Sequence, residues 1–227
     1  MRISSIKKTA KERLSGNWGK TILTLIFFGV IQGLIHMIFN GPANLYYHDK
    51  LFLLEYDEAL PGGPTAIISI ITGILSALMG YGLSVYLLKL IRGEERGLSD
   101  LFYYFKSGHQ FVRGTITTVL VTVFVILWTL LLIIPGIIKG IAYSQVTYIL
   151  KDNPDMKPLD AITLSRRMMD GYKWKYFLLG LSFIGWAILV AITFGIALLY
   201  VGPYYYASIT QFYEEVKEAY EDKGELI

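Results

Sequence analysis

The residues of this sequence best suited to chemistry are cations and aromatics rather than nucleophiles. Segment 151–175 carries six basic residues, Lys151, Lys157, Arg166, Arg167, Lys173 and Lys175, against four acids, a net of +2. Arg166, Arg167, Lys173 and Lys175, with Trp174 among them, supply donors that suit one task, holding an anion. The anion is either a lipid headgroup phosphate or a carboxylate of a membrane-protein partner. The sequence holds little that would serve catalysis. Its three histidines are scattered at 36, 48 and 109, and it has no cysteine. A histidine or thiolate metal site and a disulfide framework are therefore not expected. HExxH, GxSxG and phosphate-loop patterns are absent, and no basic domain suits nucleic acid. The expectation is no catalytic residue, no cofactor, no metal and no enzyme.

Four polar residues interrupt apolar runs. Lys139 is expected to snorkel to the outer headgroups. His36 is read as an outer interface residue, and Gln32 and Gln145 as interhelical hydrogen-bonding amides. No carboxylate falls within a run, which argues against proton- or sodium-coupled transport built on midplane acids.

The elements that must position these residues follow from composition. Of 227 residues 54% are hydrophobic and 17% charged, against about 25% charged in a soluble domain. The apolar residues cluster in runs near the length that crosses a bilayer. The chain reads as one membrane domain over 1–227, all-α and polytopic, with a retained first span rather than a cleaved leader.

The run 115–150 covers 36 residues. As one helix it would be about 54 Å long, against a hydrocarbon core of about 30 Å, so a fold-back is expected at Pro135-Gly136. Six transmembrane helices result: 20–39, 65–90, 114–134, 137–151, 175–192 and 195–212, with Gly195 near the last turn. The fourth is short, so a re-entrant segment is its alternative reading. Residues 40–65 form an acidic outer loop holding Asp49, Glu55, Asp57 and Glu58 against Lys50. The basic-rich segments 1–20, 89–114 and 151–175 all belong inside by the positive-inside rule, with the N-terminus cytoplasmic. Both of the last two can be inside only if the run between them goes in and comes back. The acidic tail, two lysines against six acids over 204–227, leans toward an outer C-terminus, although acids count little in this rule.

Each inside segment has an amphipathic pattern expected to lie on the cytoplasmic interface. The first places Ile3, Ile6, Ala10 and Leu14 on one face. The second starts at Ser99 as N-cap and shows Leu101, Phe102 and Phe105. The third follows the Asn153-Pro154 turn, starts at Pro158, and shows Leu159, Ile162, Arg166 and Met169 before Gly171. Tyr103-Tyr104 and Tyr204-Tyr205-Tyr206 are expected in an aromatic belt, and Gly73, Gly80 and Gly82 at close helix contacts. The plan of basic amphipathic helix, glycine break and apolar hairpin recurs, giving repeats 1–92, 98–153 and 157–222 and three antiparallel hairpins.

The stretches IIPGIIKGIAYSQVTYIL (133–150), DNP (152–154), SRRMMDGYKW (165–174), LSFIGW (181–186) and Gly202-Pro203-Tyr204 resemble an uncharacterised bacterial integral-membrane family, domain of unknown function 975. The resemblance is strong over the C-terminal half. It implies a polytopic protein of the bacterial cytoplasmic membrane and no particular activity. More remotely, the hairpins look like the membrane domain attached to some glycerophosphodiester phosphodiesterases; their catalytic activity is not carried across. Two function classes follow. The first is a non-enzymatic accessory, envelope-stress or immunity type factor working through lipid or partner contacts. The second is a permease or flippase for a lipid or small amphiphile.

Overall fold

The computed structural model describes residues 2–52 and 63–224, with the backbone alone over 40–52 and 63–65. The acids Glu55, Asp57 and Glu58 of the expected outer loop lie outside the described residues. Among those described, the secondary structure is all helical. Helix α1 spans Ile3–Leu14, α2 Trp18–Phe52 and α3 Gly63–Arg92. A 3-10 helix, Leu98–Phe105, leads to α4, Gly108–Leu131. Then come α5 (Ile133–Tyr143), α6 (Val146–Asp152), α7 (Pro158–Met168), α8 (Lys173–Leu181), α9 (Ile184–Ile192) and α10 (Leu198–Glu221). The backbone of α2 continues past Phe39, where the first span was expected to end, to Phe52.

Five stretches of the described chain are long and apolar enough to cross a membrane: Trp18–Phe39, Ala66–Arg92, Gly108–Leu131, Ile133–Asp152 and Lys173–Ile192. The expected sixth, 195–212, is not among them. It opens α10, whose apolar part ends at Phe212, just before Glu214 and Glu215.

The fold-back between α4 and α5 falls three residues before Pro135. Leu132 alone is extended, with φ −162° and ψ 141°. Pro135 sits instead in the first turn of α5, where its missing N–H costs nothing. Gly136 is needed for close approach rather than for the turn. A Cβ there would lie 2.9 Å from the Cα of Thr129 on α4, so the returning helix packs backbone against backbone. Gly82 serves α3 in the same way: a Cβ would come within 2.8 Å of the Leu101 Cα. Gly73 and Gly80 face open space. The second turn is where it was expected, at Phe194 (φ 50°) and Gly195 (φ 91°).

Burial is concentrated at one end of the molecule. Leu78–Ile91 of α3 are surrounded by the 3-10 helix, α6, α10 and α1, and Leu78, Val85, Leu87, Leu88 and Leu90 are almost wholly buried. At the other end the helix tips are bare: Leu130–Ile134, Ile192, Phe194 and Ile196 are all exposed, Phe194 by 98%. Apolar tips of this extent suit a membrane or a protein partner rather than water.

The amphipathic segments use their apolar faces differently from the expectation. Ile6, Ala10 and Leu14 are fully buried because α1 packs on α10, with further contact to α3 and α8. Their face meets protein rather than lipid. In the 3-10 helix Leu101 is buried while Phe102 and Phe105 are exposed. That helix begins at Leu98 rather than after a Ser99 cap, and Asp100 Oδ2 accepts from the Gly97 amide at 3.0 Å. In α7 Ile162 and Met169 are buried, but Leu159 is exposed by 53% and Arg166 faces outward.

Candidate functional site

Arg166 and Arg167 occupy the last turn of α7, and Lys173 opens α8 after Gly171 ends the connecting turn. Alternate faces of α7 explain their direction. Ala161, Ile162, Leu164, Ser165 and Met168 bury the other side, and the Ser165 hydroxyl donates to the Ala142 carbonyl of α5 at 2.8 Å. That contact pins α7 across α5. It also brings Lys139, one turn before Ala142, to the same place. Lys139, Arg166, Arg167, Asp170 and Lys173 line one open cavity of about 380 Å³ with Ile138 and Ala142. Four cations against one carboxylate leave a net of +3. Lys173 Nζ donates to Asp170 Oδ1 at 3.0 Å and holds the Asp170 carboxyl below its usual value. Lys139 Nζ stands 4.5 Å from the centre of the Trp128 ring. Arg166 and Arg167 are exposed and make no hydrogen bond or ion pair among the described residues.

The expectation set Lys139 and the cations of 166–173 on opposite sides of the membrane, whereas the structure brings them to one cavity. Trp174 is 66% exposed and stacks on Phe177 at 5.2 Å. Lys175 is exposed, and it lines a separate depression with Arg2, Ile3, Ser4 and Ile6. The five expected anion contacts therefore divide: Arg166, Arg167 and Lys173 converge, whereas Lys175 and Trp174 do not join them.

A second charged cluster binds α3, α6 and α10 together, and sequence reasoning missed it. Asp152 ends α6 beside the Asn153-Pro154 turn. Arg92 donates to both of its carboxylate oxygens at 2.7 Å. Lys217 donates to Oδ2 at 2.7 Å and the Tyr213 hydroxyl at 2.8 Å. Arg92 Nε also donates to Glu214 Oε1 at 3.0 Å, although burial pushes the Glu214 carboxyl above its ordinary value. The partners lie 60 to 65 residues from Asp152 in sequence. No periodicity signals such pairing; the only trace is an acid at each helix end that meets a cation-bearing one.

Arg113 completes the framework. It is 6% exposed and donates through Nε to Met156 O at 2.6 Å, through Nη1 to Leu150 O at 3.1 Å, and through Nη2 to Asn153 O. These carbonyls lie at the end of α6 and in the turn that follows it. The expected turn at Asn153 and Pro154 is present, held by this side chain together with the Asn153 side-chain amide, which donates to Ile149 O at 3.1 Å, and the Met156 amide, which donates to Asn153 O at 3.2 Å.

The remaining polar expectations separate likewise. Gln32 Nε2 donates across helices to Ser76 O at 3.1 Å, as expected. Gln145 is fully buried but bonds only its neighbour Ser144, at 2.7 Å, and its Oε1 has no partner among the described residues. His36 is exposed. Tyr104 and Tyr204 are buried in protein rather than standing in an aromatic belt, at 1% and 9% exposure. Tyr204 packs with Phe183 and Trp186, beneath Lys7 Nζ, which lies 4.1 Å from the Phe183 ring centre and donates to Ser182 O at 3.3 Å.

Comparison with known proteins finds no curated protein and no solved structure that matches. Residues 1–139 and 129–220 match a family described as a protein of unknown function, DUF975. With these two stretches together covering nearly all of the helical frame, the chain belongs to the DUF975 family.

Proposed function

We propose that the chain is a non-enzymatic multi-pass protein of the bacterial cytoplasmic membrane. It acts as an accessory, envelope-stress or immunity type factor by holding anionic groups at its cytoplasmic face, on lipid or on a membrane-protein partner. The observation that carries this reading is the pair Arg166 and Arg167, exposed and without a partner among the described residues. Exposed guanidinium groups beside Lys139 and Lys173 keep their donors free to exchange water for an anion. Mild crosslinking in cells followed by purification should recover a membrane protein or anionic lipid with the native chain, and much less with R166A/R167A. Equal recovery from both would refute the reading.

Sidedness supports it. Helix α1 packs along α10, which supports an arrangement with α1 and the end of α10 on one side of the bilayer and an even number of passes between them. Five spans would leave an odd number; the first half of α10 supplies the return. The arrangement then follows the three-hairpin plan, with a short helix before each hairpin: α1 before α2 and α3, the 3-10 helix before α4 and α5, α7 before α8–α10. The middle hairpin of α4 and α5 leaves and returns to the same side, so it adds no net crossing and keeps both flanking basic segments cytoplasmic.

A permease or flippase has less behind it. That reading needs amides lining a cleft, and Gln32 is engaged by Ser76 while Gln145 is sealed from solvent.

A further inference from the structure

We infer that the cavity between α5, α7 and α8 is a binding site for one anionic phospholipid, its phosphate held by Lys139, Arg166, Arg167 and Lys173 and an acyl chain laid in the adjoining groove between α5 and α8. This deepens the proposed function and rests on it. The first ground is convergence. The four cations come from three helices, and the two arginines are unspent. A phosphate diester offers acceptors that arginine forks bind at two points.

The second ground is what lies next to the charge. Beside the cavity, Ile141 of α5 and Tyr176, Phe177, Gly180 and Leu181 of α8 line an apolar groove of about 290 Å³. Lys173 and Phe177 are four residues apart, and Ile138 of the cavity and Ile141 of the groove three, so each pair lies on one helix face. The charged cavity therefore borders the greasy groove along both helices. An ion or an acidic peptide would use only the first. An anionic phospholipid uses both, and the exposed Ile134 and Ile137 continue the apolar wall along α5.

The test is native mass spectrometry of the full chain released from detergent, with phosphatidylglycerol, phosphatidylcholine or inorganic phosphate added. The native chain should retain one phosphatidylglycerol and little phosphatidylcholine. Losing one charge-assisted contact predicts about a tenfold fall in phosphatidylglycerol affinity for K139Q, and more for R166A/R167A. K175Q, outside the cavity, should stay within about twofold. Gly180→Leu should fill the groove, since a Cβ there meets nothing within 4 Å. It should weaken the lipid and leave any phosphate binding unchanged. Thermal melting of each variant without lipid checks that the fold persists, as expected above all for R166A/R167A, whose side chains are exposed and unpaired.

Equal small losses for K139Q and K175Q would overturn the cavity and leave diffuse headgroup attraction, the broader reading, standing. No loss for any variant would overturn both. Phosphate binding that Gly180→Leu does not alter, with no lipid retained, would identify a free-phosphate site and overturn the lipid. Retention of an acidic protein in place of lipid would overturn it as well.

Discussion

Replacing Asp152 by alanine should be among the most damaging single changes available outside the hydrophobic core. Its carboxylate is 8% exposed and receives four short hydrogen bonds, two from Arg92 and one each from Lys217 and Tyr213. Removal leaves both cations facing one another without their shared anion. Breaking a buried pair in this way costs roughly 3–5 kcal/mol. Arg92 and Lys217 retain 27% and 23% side-chain exposure, so water relieves part of the penalty, and Arg92 keeps Glu214 at 2.9 Å. The expected loss is therefore at the low end, about 3 kcal/mol, or about 150-fold in the unfolding equilibrium. Helical ellipticity followed as mild detergent is replaced by a denaturing one would measure it. The paired change Asp152→Leu with Arg92→Met should restore part of the loss, because it removes the stranded Arg92 charge and leaves Lys217 beside Glu214. A loss for D152A under about 1 kcal/mol would match an exposed ion pair and refute the view that this cluster joins α3, α6 and α10. So would an additive double substitution.

Three further outcomes are expected. Gly136→Ala should cost about 1–3 kcal/mol by wedging α5 from Thr129, whereas Gly185→Ala, with nothing within 4 Å, should be nearly neutral in the same unfolding assay. Arg113→Met strands the Leu150 and Met156 carbonyls, each worth about 1–3 kcal/mol if left buried, while Asn153 O keeps the Met156 amide. Limited trypsin digestion should then cut at Lys151, and unchanged protection would count against the account of that turn. A cysteine placed at Phe194 should resist an impermeant thiol reagent from either side of the membrane, because that 98%-exposed tip sits in lipid. Cysteines at Ser4 and Asp222 should react only from the cytoplasm, and an externally reactive Asp222 position would break the same-side arrangement of α1 and α10.

Some of this molecule is additive along the chain, and that part was legible in the sequence. Hydropathy over some 20 residues needs no knowledge of neighbours, so the first three spans appear in the structure close to their expected places. A left-handed turn at Gly195, a stop after Asp152 and a helix start at Pro158 depend on a few adjacent residues, and they too are where the sequence puts them. The position of the fold-back was less legible. Pro135 is compatible with a turn before it as well as at it, and only the close approach of Gly136 to Thr129 selects Leu132.

What tertiary structure alone decided is which polar groups meet. Amphipathic periodicity identifies an apolar face but not its solvent, so Ile6, Ala10 and Leu14 read the same whether lipid or α10 covers them. Charge counts place Arg92, Asp152 and Lys217 at helix ends without pairing them, because contact between residues 60 apart depends on how the helices are arranged. Lys139 is the clearest case. Linear distance along an assumed span put it on the far side of the membrane from Arg166; the folded chain brings it round to the same cavity, because α7 lies across α5 through Ser165 and Ala142.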